Sequence, residues 1–322
     1  SIGQQYLRQP APTENPISKE SRQTIKLSNR GADLRIGFIS MYLKRHPIGW
    51  CAYDFMRELS SLTPHIYIYT TRQFTEDDRT QKFVQITDRF YRTTQLEPQA
   101  IAREIKERII ADKIDVLIDL DSIMNLVHAE IMRDRPAPVC ITWPSFDAPF
   151  VSSHNYEICD WHTHPVGVES HYLEQLVRMP DSHMAVAGFE TISIDRNALR
   201  LQYGIQQDQV AYLFSAPAHK LSLESLQAQI DILQRVPSSI LIHKGIGDLE
   251  IIKDLYRSEC HIKNVNFDRL IFLPRSSTEE EHRATYVIAD VSLDSYPYNG
   301  GTHNVEAFWC NLPLVTRVGD QS

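Results

Sequence analysis

No apolar run in this 322-residue chain reaches the roughly 18 residues that a membrane-spanning helix needs. No signal-peptide pattern is present, so none is expected. The five cysteines (Cys51, Cys140, Cys159, Cys260 and Cys310) are scattered, with no C-x-x-C pair. That argues against a structural zinc or a disulfide framework, and for a reducing cytoplasmic setting. A basic excess is also missing. Lys and Arg number 33 against 41 Asp and Glu, giving a net charge of −8. Neither nucleic acid nor an anionic membrane is therefore expected as the main partner. There is no low-complexity tract and no sequence repeat between the two halves.

Hydrophobic residues make up 42% of the chain, enough for real cores. At roughly 100–200 residues per domain, two domains are expected. Residues 1–32 are polar and contain Pro10, Pro12 and Pro16, which reads as a linker or tail. The chain opens on Ser1 and stops at Ser322 just after a strand-like run. A piece of a longer protein, its second domain truncated, is the expectation.

Between these ends, strands alternate with helices. Strands are predicted over Leu34–Ser40, His65–Thr70, Phe90–Tyr91, Ile114–Leu120 and Val139–Trp143, with helices near 50–61, 98–112 and 125–133. The second half repeats the pattern. Strands fall at Val210–Ser215, Ser239–Lys244, Leu270–Leu273 and Val291–Leu293, and helices at 223–235 and 248–258. This alternation means an α/β fold, parallel sheets with helices on both faces. Ligands in such folds bind outside the carboxyl ends of the strands, so the loops there are the places to search.

One such loop stands out. Asp294-Ser295-Tyr296-Pro297-Tyr298-Asn299-Gly300-Gly301-Thr302-His303 joins a strand to a helix-like run, with Glu306 one turn inside it. A Gly-containing turn at a helix N-terminus presents N–H groups and a partial positive charge, which suits a phosphate. Glu306 suits a ribose hydroxyl. Taken alone, the glycine pair is weak evidence, since a tight turn also explains it.

Other candidates each have an ordinary alternative. His46 follows the first strand and can act as base or hydrogen-bond donor, or be a surface histidine. Lys220 follows the strand ending at Ser215. It can offset the charge of a departing diphosphate, or simply start a helix in solvent. His282 opens a helix behind three acids. It can stack on a base, or merely follow acids that favour the helix dipole. Asp119, Asp121 and Asp147 lie on strand-end loops in no recognisable metal-ligand spacing, so no metal is expected.

Taken in order, these blocks resemble the catalytic region of the O-linked N-acetylglucosamine transferase family, in its TPR-linked bacterial branch. The likeness runs over residues 33–322. It rests on Leu34–Ser40 with His46-Pro47, Arg135–Val139, Trp143–Ala148, Val177–Pro180, Phe272–Pro274 with Glu281-His282, Ala289–Thr302, and Leu312–Thr316. The resemblance implies a GT-B fold, two Rossmann-like domains facing across a cleft. The N-terminal, acceptor-side domain would span 33–190 and the UDP-sugar domain 191–322. It implies an inverting, metal-independent glycosyltransferase with no cofactor, acting on Ser/Thr hydroxyls of protein or peptide acceptors, with N-acetylglucosamine the expected sugar. A TPR array is implied elsewhere in the full protein.

Carried over by position, His46 and Lys220 take the catalytic roles. Ser277, His282, Asn299, Gly300, Gly301, Thr302, His303 and Glu306 take the UDP-sugar. Asp121 and Asp147 fall on the acceptor and sugar side. Departures exist: some relatives read His-Thr-Thr where this chain has Gly301-Thr302-His303, and Glu306 replaces a commoner Asp. The Glu306 change, with a loop around Lys220 a residue shorter than in close relatives, motivates one alternative, a non-catalytic UDP-sugar-binding module; a UDP-N-acetylglucosamine epimerase-like GT-B enzyme is the other.

Overall fold

The computed structural model describes residues 33–71, 73–144, 151–184, 186, 189 and 193–318. The chain divides into two compact units, the first ending at Gly188 and the second starting at Phe189. The division expected at 190/191 lies just beyond.

The first unit runs β1 (Ile36–Ile39), α1 (Pro47–Leu62), β2 (Ile66–Thr70), α2 (Asp78–Gln85), β3 (Arg89–Arg92), α3 (Pro98–Ala111), β4 (Val116–Asp119), α4 (Leu126–Asp134), β5 (Val139–Thr142), β6 (Tyr156–Asp160) and β7 (Gln175–Met179). Its strands form one sheet in the order β3-β2-β1-β4-β5-β6-β7. Every pairing is parallel. Helical crossovers make this possible, because parallel neighbours need a long connection. Strand β1 is buried along its whole length. Its side chains alternate between faces. Phe38 packs with Ala52 and Met56 of α1, and Ile39 packs with Ile101 and Ile105 of α3.

The second unit runs α5 (Arg196–Gln202), β8 (Val210–Ser215), α6 (Leu223–Arg235), β9 (Ser239–Lys244), α7 (Leu249–Lys263), β10 (Leu270–Leu273), α8 (Glu279–Ile288), β11 (Val291–Leu293), α9 (Thr302–Trp309) and β12 (Leu314–Val315). The sheet order is β10-β9-β8-β11-β12, again all parallel. Phe214 of β8 faces Leu226 and Ile230 of α6, while its neighbour Leu213 faces Tyr286 and Ile288 of α8.

In each sheet the winding reverses once: between β1 and β4 in the first, and between β8 and β11 in the second. The loops leaving those two strands diverge, which opens a crevice at the strand ends. In the first unit these loops carry His46 and Asp121. In the second they carry Lys220 and the Asp294–Gly301 turn. Both reversals therefore fall on loops singled out in the sequence.

Candidate nucleotide site

The turn after β11 is organised by Asp294. One carboxylate oxygen accepts from the N–H groups of Ser295 and Gly300, each at 2.8 Å. The other accepts from Thr316 Oγ1 at 2.7 Å and Asn299 Nδ2 at 3.0 Å. Burial works against the charge, but these hydrogen bonds outweigh it and hold the carboxyl below its ordinary range. Ser222 and Ser225 anchor the same turn from α6, donating to the Tyr296 carbonyl at 2.6 and 3.0 Å. Asn299 is thus a brace of the turn, since its amide also donates to the Ser295 carbonyl at 3.0 Å.

Lys220 reaches across the reversal from the β8 side. Its ammonium donates to the Asn299 carbonyl at 2.9 Å and lies 3.8 Å from the centre of the Tyr298 ring. Burial lowers its pKa, and nearby Asp294 pulls it back up. Gly301 caps α9 without a side-chain hydrogen bond, and the first turn of that helix has no acid. Its N–H groups are therefore not engaged by a capping side chain. A Cβ at Gly300 would stand 2.1 Å from His303 Nε2, so any larger residue there would displace the His303 side chain. The His303 ring is held neutral: burial and the Lys220 charge push its pKa down to about 4.

His282 and Glu306 meet. His282 Nε2 and Glu306 Oε2 are 3.2 Å apart, and the His282 ring sits edge-on to Tyr286. The residues expected at the base and at the ribose thus share one corner. The N–H of Ser277 donates to Glu281 Oε2 at 2.7 Å, at the mouth of α8. Thr302 is half-buried as the first residue of α9.

At the reversal of the first sheet, His46 caps α1. Its Nδ1 accepts the Ile48 N–H at 3.2 Å, and its ring stacks on Tyr42 with centroids 4.1 Å apart. Gly49 lets the helix start this close, since a Cβ there would meet the Lys44 carbonyl oxygen at 2.0 Å. Burial and the Lys44 charge lower the His46 pKa to about 4. A neutral ring whose Nδ1 accepts must carry its proton on Nε2. His46 therefore offers a ligand a donor, and base catalysis is the weaker half of the sequence expectation.

The placement of Asp121 on the sugar side needs correction. Asp121 is fully buried. Its oxygens accept from Ser40 Oγ at 2.6 Å and the Met41 N–H at 2.8 Å. Beside it Asp119 takes buried His128 at 2.9 Å. Burial raises the Asp121 pKa to about 6, against the pull of His128. This network shapes the β1 loop from beneath. Asp147 lies outside the described residues. Among the described residues, no group of three or more His, Cys, Asp or Glu side chains is placed to hold a metal ion.

The chain matches glycosyl transferase family 41 over residues 17–189 and 183–321. It belongs to that family. Curated relatives include the probable UDP-N-acetylglucosamine–peptide N-acetylglucosaminyltransferase SEC of Arabidopsis thaliana. It is 23% identical over 309 residues, which are 94% of this chain and 31% of that protein. The similarly named SPINDLY protein of Petunia hybrida is 26% identical over 220 residues, 67% of this chain and 23% of its own. The chain thus spans about a third or less of the curated relatives' length.

Among solved structures, a mutant of the Thermobaculum terrenum O-GlcNAc transferase matches with a TM-score of 0.73 at 24% identity, covering 91% of this chain and 54% of that one. HepE of Anabaena, solved with UDP and glucose, matches at 0.57 and 15%, covering 87% and 80%. The likeness is one of fold. With the two parallel sheets, it gives this family 41 chain the GT-B α/β fold. Sequence reasoning missed two residues at the site. Asp294 began the marked stretch but had no role there, and Lys244 was read only as the end of a strand.

Proposed function

We propose that the second unit binds a UDP-sugar, and that the full-length protein transfers the sugar, N-acetylglucosamine by analogy with the relatives' names, to Ser/Thr hydroxyls of protein acceptors. One observation carries this reading. The loops on either side of the β8/β11 reversal converge on the Lys220 ammonium, beside the uncapped start of α9. That concentration of positive charge suits a diphosphate.

In the proposed step the acceptor oxygen attacks the anomeric carbon from the face opposite UDP. The bond from that carbon to the β-phosphate oxygen breaks, UDP leaves with the electron pair, and the configuration inverts. Lys220 and the α9 N–H groups offset the charge that builds on the diphosphate, where such stabilisation is largest. These groups supply the charge, so we propose that no metal is required. His282 and Glu306 take the base and ribose. His46 orients the acceptor side by donating from Nε2, and the acceptor proton passes to solvent water. A TPR array in the full protein and a cytoplasmic setting are part of this reading on the strength of resemblance and composition.

The test is turnover of UDP-N-acetylglucosamine by the full-length protein over a Ser/Thr peptide panel, with EDTA present, and the linkage read by NMR. A β-linked glycopeptide supports the proposal. Donor binding without transfer across the panel, or release of a free epimer, overturns it.

A further inference from the structure

The last residue of β9 is a lysine that no phosphate chemistry explains. Lys244 is 5% exposed. Its ammonium donates to Ser276 Oγ at 2.6 Å and Thr285 Oγ1 at 2.8 Å, and lies 3.5 Å from the His282 carbonyl oxygen. An ammonium has three donors, and three oxygens surround it here. All three acceptors are neutral. A buried cation of this kind is costly, and an apolar side chain would fill the place more cheaply. What distinguishes the acceptors is where they lie. All belong to one segment, residues 276–285, which joins β10 to the first turns of α8. The same segment carries Ser277 and His282, the residues assigned to the nucleotide base.

We propose that Lys244 is a positioning residue for the base end of the nucleotide site, fixing the 276–285 segment against β9 so that His282 and the Ser277 backbone stand where the base binds. The inference rests on the reading that the second unit binds UDP. The charged and titratable groups facing Lys244 are Glu281 and His282 on α8 and Glu306 on α9. Glu281 holds the Ser277 N–H, and Glu306 holds the His282 ring. Both carboxylates favour the charged lysine, but burial prevails and lowers its pKa to about 8. The anchor therefore weakens as pH rises through 8. Lys220 also has a lowered pKa, but it belongs to the diphosphate end, so the two are separable with a ligand that has no base.

The experiment is titration calorimetry on the full-length protein with UDP and with inorganic pyrophosphate, at pH 7 and 8.5, for wild type and Lys244→Met. Losing hydrogen bonds to a charged group should weaken UDP about tenfold and leave pyrophosphate within about twofold. In wild type the preference for UDP over pyrophosphate should fall between pH 7 and 8.5, and Lys244→Met should abolish that fall. Donor KM should rise more than kcat drops. Unchanged UDP affinity in the variant, or equal losses for UDP and pyrophosphate, overturns the role of Lys244. Should the variant fail to fold, the wild-type pH dependence decides, and a constant preference overturns it. Wild type that does not bind UDP at all overturns the functional reading instead.

Discussion

Four groups converge on the Asp294 carboxylate: two backbone N–H groups, the Asn299 amide and the Thr316 hydroxyl. Removing it leaves the three part-buried donors without their acceptor, a loss of about 1 kcal/mol for each, while exposed Thr316 can turn to water. Asp294→Ala should therefore lower stability to urea by a few kcal/mol and abolish UDP binding, with Asp294→Asn intermediate. His46 makes the opposite kind of prediction. With its pKa near 4 and its proton on Nε2, it should contribute no acid limb between pH 6 and 7 to kcat/KM. A limb near 6.5 that His46→Ala removes would contradict the donor role. At this scale the sequence was partly legible. Strand-end position marked Lys220, His282 and His303, because polar residues there have little structural reason to cluster. Asp294 and Lys244 were not legible as site residues, since their partners lie up to 22 and 41 residues away. Spacing along the chain does not report such contacts.

Continuous apolar runs made the central strands readable, because a strand covered on both faces is apolar on both. Phe38 lies between sheet and α1 at no exposure, so Phe38→Ala should cost about 3–5 kcal/mol in urea denaturation. β6 and β7 escaped sequence reading for the complementary reason. β7 is the edge strand and alternates exposed with half-buried positions, with Val177 and Met179 both about 40% exposed. Such a strand has no apolar run to find. The helices α2 and α5 are short and polar, and each is fixed by an Asp cap, Asp77 and Asp195. On the proposed function, the cap of α8 also bears on base binding. Thr278 accepts the Glu281 N–H at 3.1 Å, at the segment that carries Ser277 and His282. Thr278→Ala should cost about 1 kcal/mol and weaken UDP more than pyrophosphate, as calorimetry would show.

Across the two units, three histidines share one property. His46, His243 and His303 each have a pKa lowered from 6.5 to about 4, chiefly by burial. In the unfolded chain they gain a proton near pH 6.5, and in the folded one only near pH 4. The unfolded state thus binds more protons in that window, so stability must fall as pH drops from 6.5 to 4. Buried His128, raised by Asp119 and Asp121, works in the opposite sense. Urea denaturation at pH 7 and 4.5 measures the balance, and His243→Phe, which has nothing to protonate, should reduce the slope. The order of the two sheets is the feature that unites these scales. Each winds outward, reverses once, and leaves its reversal loops to carry His46 in the first unit and Lys220 in the second. On the proposed function, the β8/β11 reversal holds UDP with Lys220 at the diphosphate. Calorimetric titration of UDP into the full-length protein, wild type against Lys220→Ala, tests it most directly. The prediction is UDP binding that weakens about tenfold or more in the variant, as expected for loss of a charge-assisted contact. Equal affinity in the two proteins would contradict it.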